Sequence, residues 1–164
     1  MKQEISQKLQ AIKNSYPNDF QYFITTLWKP LMQVEGGAKL HNVSSDSGGW
    51  TIYGVSYNNN KDYFTSLEDF KTMSEYEAQL IAFSKYYINA GTQYFNEDAK
   101  DMYFDIAFNM GVGRAIKMAQ KIVGISQDGI IGAISKVRFL EISEDELKNE
   151  RLKFYYSLVK LKKF

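Results

Sequence analysis

Val34-Glu35-Gly36-Gly37, followed by Ser45-Asp46-Ser47-Gly48-Gly49-Trp50-Thr51-Ile52-Tyr53-Gly54, is the stretch on which the fold reading turns. Upstream of it, Phe20, Phe23, Ile24, Leu27, Leu31 and Val34 recur at intervals of three and four, the spacing of one helix face. Two glycines then stop that helix, because glycine enters the φ > 0 region without a steric penalty. Downstream, Trp50, Ile52 and Gly54 alternate with Thr51 and Tyr53, which suits a short strand or hairpin. The pattern sets one carboxylate at a helix end, beside a tight loop that offers a second carboxylate, Asp46, and a hydroxyl, Thr51.

These residue types suit the hydrolysis of a glycosidic bond. That reaction needs a protonated acid at the leaving oxygen and a carboxylate that activates water or stabilises the oxocarbenium-like centre. A carboxyl walled by apolar side chains holds its proton more readily than one in water, and Met32, Val34 and the aromatics nearby are the expected wall for Glu35. Asp46 lies among serines and glycine amides, a polar setting that keeps a carboxylate ionised. Thr51 is placed to hold a water between the two. On spacing alone a second reading stays open, in which Glu35 is a solvated helix end and Asp46 belongs to an ordinary turn.

The segment resembles the glycoside hydrolase family 108 muramidases, lysozyme-like proteins of phages and bacteria sometimes labelled secretion activators. Their Glu-Gly-Gly helix end is matched by Glu35-Gly36-Gly37, and their Asp-x-Gly-Gly-x-Thr-x-x-Gly loop by Asp46 through Gly54. Phe108-Asn109-Met110-Gly111-Val112-Gly113 with Gln120 is similar to the family's Asn-Met-Gly junction, and Asp128-Gly129-Ile130-Ile131-Gly132 to its Asp-Gly-x-x-Gly turn. The resemblance implies that Glu35 is the catalytic acid and that the C-terminal part binds peptidoglycan. The Glu–Asp–Thr order and spacing are also similar to those of phage lysozymes of related fold, which assigns roles to Asp46 and Thr51. The chain departs from the family at Ala38, where an aromatic is usual, at Trp50, where a small residue is common, and at Ala133, where proline is usual.

Composition narrows the alternatives. A chain of 164 residues can bury about two thirds of its unfolded surface in one core. A net charge of +1 suggests no nucleic-acid partner. With no cysteine and a single histidine, His41, neither a disulfide nor a thiolate or histidine metal centre is expected, and no cofactor is implied. His41 reads as a surface loop residue, with contact to sugar as the second reading. Twelve Tyr, eleven Phe and two Trp exceed what a sugar site needs, so most of these rings belong to the core. Trp50, Tyr53 and Tyr57 are the candidates for sugar contact. No run of about 18 apolar residues is present, so no membrane span is expected. The N-terminus lacks the apolar core of a signal peptide, which suggests export to the wall or periplasm by a holin-type or non-classical route.

Along the chain, Ile5, Leu9 and Ile12 mark a first helix that packs on the outside of the domain. Pro30 predicts a kink or a helix restart just before Glu35. Asn58-Asn59-Asn60-Lys61-Asp62 reads as a turn. Ser66, Ser74, Asn96 and Ser143 read as helix caps, Ser74 with Glu77 as a capping box. The helix after Asn96 is apolar on several faces and is expected to be central. On it Asn109 is either a buried amide pinning the Gly111–Gly113 turn or a substrate contact. Ile130, Ile131 and Ile134 are expected in the core, as is a stripe of Leu147, Leu152, Tyr155, Leu158 and Leu161.

The expectation is a mainly α, lysozyme-like single domain with a small β-hairpin beside the catalytic cleft. Residues 1–17 form a helical extension, 18–95 the catalytic part and 96–164 a C-terminal helical part. The expected activity is hydrolysis of the peptidoglycan glycan strand by Glu35, Asp46 and Thr51, with inversion. The alternative is a non-catalytic wall-binding or secretion-accessory protein on the same scaffold.

Overall fold

The computed structural model describes residues 1–42 and 49–161. Packing divides the chain into two compact units, residues 1–84 and 85–164, with the division inside a π-helical segment, Phe83–Ile88. The sequence motifs had suggested boundaries at 17/18 and 95/96.

The first unit holds α1 (Gln3–Ser15), α2 (Pro17–Tyr22), a π-helical segment (Phe23–Trp28), α3 (Lys29–Glu35), the strands β1 (His41–Asn42), β2 (Trp50–Ile52) and β3 (Val55–Ser56), then α4 (Tyr57–Asn60), α5 (Leu67–Lys71) and α6 (Glu75–Ala82). Pro30 lies in the first turn of α3. The wide π turns directly before it absorb the backbone donor that proline lacks, so the helix restarts rather than ends. Trp28 is buried and donates its indole N–H to Glu75 Oε1 at 2.9 Å, which pins the restart to α6. Phe20, Phe23, Trp28 and Phe83 pack ring against ring around it. Ser66 and Ser74 cap α5 and α6 as expected, the latter in a reciprocal box with Glu77. The asparagine cluster is a short helix rather than an open turn: Ser56 caps it, and buried Asn60 donates to the Ser56 carbonyl at 2.8 Å.

The second unit holds α7 (Glu97–Met110), α8 (Val112–Ile122), α9 (Ala133–Arg138) and α10 (Glu144–Leu161). Asn96 caps α7, whose Tyr103, Ile106, Ala107 and Met110 are buried in the unit's core. The Tyr103 phenol donates to the Ala90 carbonyl at 2.7 Å, and burial pushes its pKa well up, so it stays protonated. Gln120 is the polar centre of this unit. Its buried amide donates to Asp128 Oδ1 at 2.8 Å and to the Ile130 carbonyl at 3.0 Å, and its oxygen accepts from the Gly129 N–H at 2.9 Å. One side chain therefore satisfies and shapes the whole Asp128–Gly132 turn.

Two expectations about apolar residues are corrected. Ile131 packs against the core, but Ile130 and Ile134 stay 68% and 67% exposed, because the turn presents only one of the three inward. On α10 Leu147 is fully buried, whereas Leu152, Tyr155, Leu158 and Leu161 are exposed, so the stripe is a packing face only in its first turns.

Replacing Gln120 with Met keeps its volume and deletes three hydrogen bonds, which is expected to cost about 1–3 kcal/mol in urea unfolding. The Asp128 carboxyl is held below its usual range, first by the Ile130 backbone N–H and then by the Gln120 amide. A carboxyl depressed in the folded state adds stability above its unfolded pKa, and that stability is lost as pH falls through the folded value. Asp128→Asn is therefore expected to lower Tm at neutral pH, with the difference from wild type shrinking below about pH 4.

Candidate active site

Glu35 is the last residue of α3 and is half-buried. Gly36 follows at φ 81° and Gly37 at φ 59°. A Cβ at either glycine would meet nothing within 4 Å, so the backbone angle alone calls for glycine here. Among the described residues, the Glu35 carboxylate has no hydrogen-bond or ion-pair partner. The expected apolar wall is only partly present, since Met32 is half-buried while Val34 is 83% exposed. The three-and-four spacing runs one turn further than the packing does, because the glycines turn the chain away at this point.

The glycine pair leads straight to the sheet. The Gly37 carbonyl accepts a hydrogen bond from the Tyr53 N–H at 3.1 Å. Tyr53 and Gly54 form the two-residue turn between β2 and β3, at φ 52° and 71°. Both central residues at φ > 0 make the type I′ geometry that matches strand twist. Tyr53 is the one non-glycine at positive φ among the described residues, a costly conformation that persists where its surroundings hold it. One hydrogen bond thus joins a point two residues beyond Glu35 to a point two residues beyond Thr51.

The three strands run antiparallel in the order β1-β2-β3. Thr51 stands opposite His41 on one side and Ser56 on the other. Directly opposed residues share a face, so His41, Thr51 and Ser56 form a polar row across the sheet. Ile52 and Val55, on the alternate face, are buried. His41 is therefore a strand residue beside Thr51 rather than a loop residue, with its Nδ1 3.2 Å from the Lys39 carbonyl. Residue alternation cannot reveal this, because strand pairing depends on the partner's register.

The aromatic candidates separate by environment. The Lys71 ammonium lies 4.5 Å from the centre of the half-buried Trp50 ring. Tyr57 packs at 5.2 Å on buried Phe70, which makes it a core-edge ring. Tyr53 is half-buried at the hairpin turn. Asp46 lies outside the described residues.

Asn109 belongs to the second unit and is exposed, which corrects the expectation of a buried amide. It donates one turn back along α7, to the Asp105 carbonyl at 3.0 Å and to Asp105 Oδ1 at 2.8 Å. Arg151 of α10 donates to the other carboxylate oxygen of Asp105. Position 109 falls opposite the buried face of α7, and Gly111, at φ 92°, turns the chain without help from it.

Asparagine tolerates positive φ better than tyrosine does. Tyr53→Asn is expected to leave Tm unchanged or to raise it by a few degrees, measured by thermal unfolding.

The family model described as Glycosyl hydrolase 108 matches residues 28–111, just over half of the chain, and spans α3, the sheet and α7. A solved structure titled "Structure of Brucella abortus SagA" superposes with a TM-score of 0.70 at 24% identity, covering 88% of this chain and 81% of that one. No curated protein matches significantly. The mainly helical, lysozyme-like fold with a small sheet is the one expected from the sequence. With its Glu-Gly-Gly helix end and hairpin inside the matched region, the chain belongs to the glycosyl hydrolase 108 family.

Proposed function

We propose that the protein is an N-acetylmuramidase that cuts the glycan strand of peptidoglycan, with Glu35 as the general acid. The observation that carries this reading is the Tyr53–Gly37 hydrogen bond, which links the helix end bearing Glu35 to the hairpin bearing Thr51. Membership of a glycosyl hydrolase family supplies the reaction class.

In this reading Glu35 gives its proton to the bridging oxygen as the glycosidic bond breaks. Asp46, about ten residues further along the chain, acts on a water at the opposite face of the sugar or stabilises the developing cation. Thr51 orients that water, with His41 and Ser56 completing the polar row. A loop-borne Asp leaves room for a water between the carboxyls, which favours inversion; that outcome corresponds to a separation of roughly 6.5–9.5 Å, against roughly 5–5.5 Å for retention. Trp50 and Tyr53 contact the sugar rings, and the Asp128–Gly132 turn belongs to a wall-binding part. The place of action in this reading is the cell wall.

The test is mass spectrometry of fragments released from purified sacculi. Wild type is expected to give fragments with N-acetylmuramic acid at the reducing end. Glu35→Gln is expected to lower the rate at least about 10³-fold with Tm nearly unchanged. Sacculi bound but left uncut by wild type would favour the binding-protein alternative. Unaltered cutting by Glu35→Gln would remove the acid assignment.

A further inference from the structure

Charge in the second unit is segregated. Residues 112–127 carry Arg114, Lys117 and Lys121 with no Asp or Glu, and residues 151–161 carry Arg151, Lys153 and Lys160 with none either. The helices that carry these stretches, α8 and α10, pack on each other. Between them lies a groove of about 320 Å³ whose wall includes Arg114, Lys117, Lys121 and Lys153, four cations against the single carboxylate of Glu150. Glu150 is shared by Lys121 at 2.7 Å and Lys153 at 2.6 Å, and the Arg114 guanidinium lies over the Phe154 ring at 4.7 Å.

Next to this basic groove, α10 exposes apolar surface that the fold does not cover. Leu152 is 52% exposed, Tyr156 66% and Val159 55%, and their i, i+4, i+7 spacing puts them on one face of the helix. A hydrophilic polyanion would answer the lysines but gain nothing from the aliphatic side chains. A second copy of the helix would bury the aliphatics but set lysine against lysine. An anionic lipid surface answers both, because lysine ammoniums reach the headgroups while Leu, Val and Tyr enter the acyl boundary. Among the described residues no helix is long and apolar enough to cross a membrane, so the contact is one of lying on the surface.

We propose that α8 and the second half of α10 form a docking surface for a membrane that carries anionic lipid. The proposal does not rest on the hydrolase reading. It places the protein at the lipid boundary through its second unit.

The test is cosedimentation of the intact protein with phosphatidylglycerol–phosphatidylcholine vesicles and with pure phosphatidylcholine vesicles. Pelleting with the anionic vesicles, weak pelleting with the zwitterionic ones, and release by high salt are expected. Lys160→Gln is expected to weaken anionic binding about fivefold, the factor for one basic residue near such a surface. Tyr156→Ser combined with Val159→Ser is expected to weaken it about tenfold, and circular dichroism checks that these exposed changes leave the fold intact. Equal pelleting with both vesicle types, no pelleting with either, or binding untouched by both variants overturns the proposal. So does a mass that doubles with concentration in light scattering without vesicle binding.

Discussion

The arrangement of the first unit depends on one backbone hydrogen bond, from the Tyr53 N–H to the Gly37 carbonyl. In a two-residue hairpin the first turn residue has no ladder partner for its N–H, so this donor is free to bind elsewhere. Here it binds the chain leaving α3. Two glycines at positive φ aim that carbonyl, and a tyrosine held at positive φ aims the donor. Three unfavourable or glycine-only conformations thus converge on a single contact, and that contact sets Glu35 and Thr51 on the two segments it joins.

The second unit is organised around a different kind of constraint. Gln120 is buried with both amide donors and its oxygen engaged in the Asp128–Gly132 turn, and the turn seats Ile131 against the core. The same turn leads into α9, whose first residue is Ala133, a position where proline would also fit because the first helical N–H needs no partner. A substitution seen in the sequence as a departure from the family is thereby locally harmless. The close approach at Gly91 follows from the same seating: at φ +80°, a Cβ there would collide with Ile131 Cδ1.

Much of this was readable from the chain because it depends on neighbours in sequence. The end of α3 at Glu35, the restart at Pro30, the caps at Ser66, Ser74 and Asn96, and the buried face of α7 all follow from local spacing and turn chemistry. What was misread depends on contacts distant in sequence. Val34 fits the helical period but has nothing to pack on, and Ile130 and Ile134 are apolar without a place in the core. Asn109 looked buried because its helix is central, yet it falls on the outward face. His41 looked like a loop residue because pairing with Thr51 is a matter of register, which alternation cannot specify. Of the candidate site, the Glu-Gly-Gly end was legible and the polar row beside Thr51 was not.

The most direct measurement is amide hydrogen exchange at Tyr53 in the intact protein. If the tie between α3 and the hairpin exists in solution, this N–H exchanges as slowly as the ladder amides of β2, although it lies in a surface turn. Exchange at the rate of an open turn amide, with the neighbouring strand amides still protected, would mean that the hairpin and the Glu35 helix end are not joined, and the proposed site would lose its geometry.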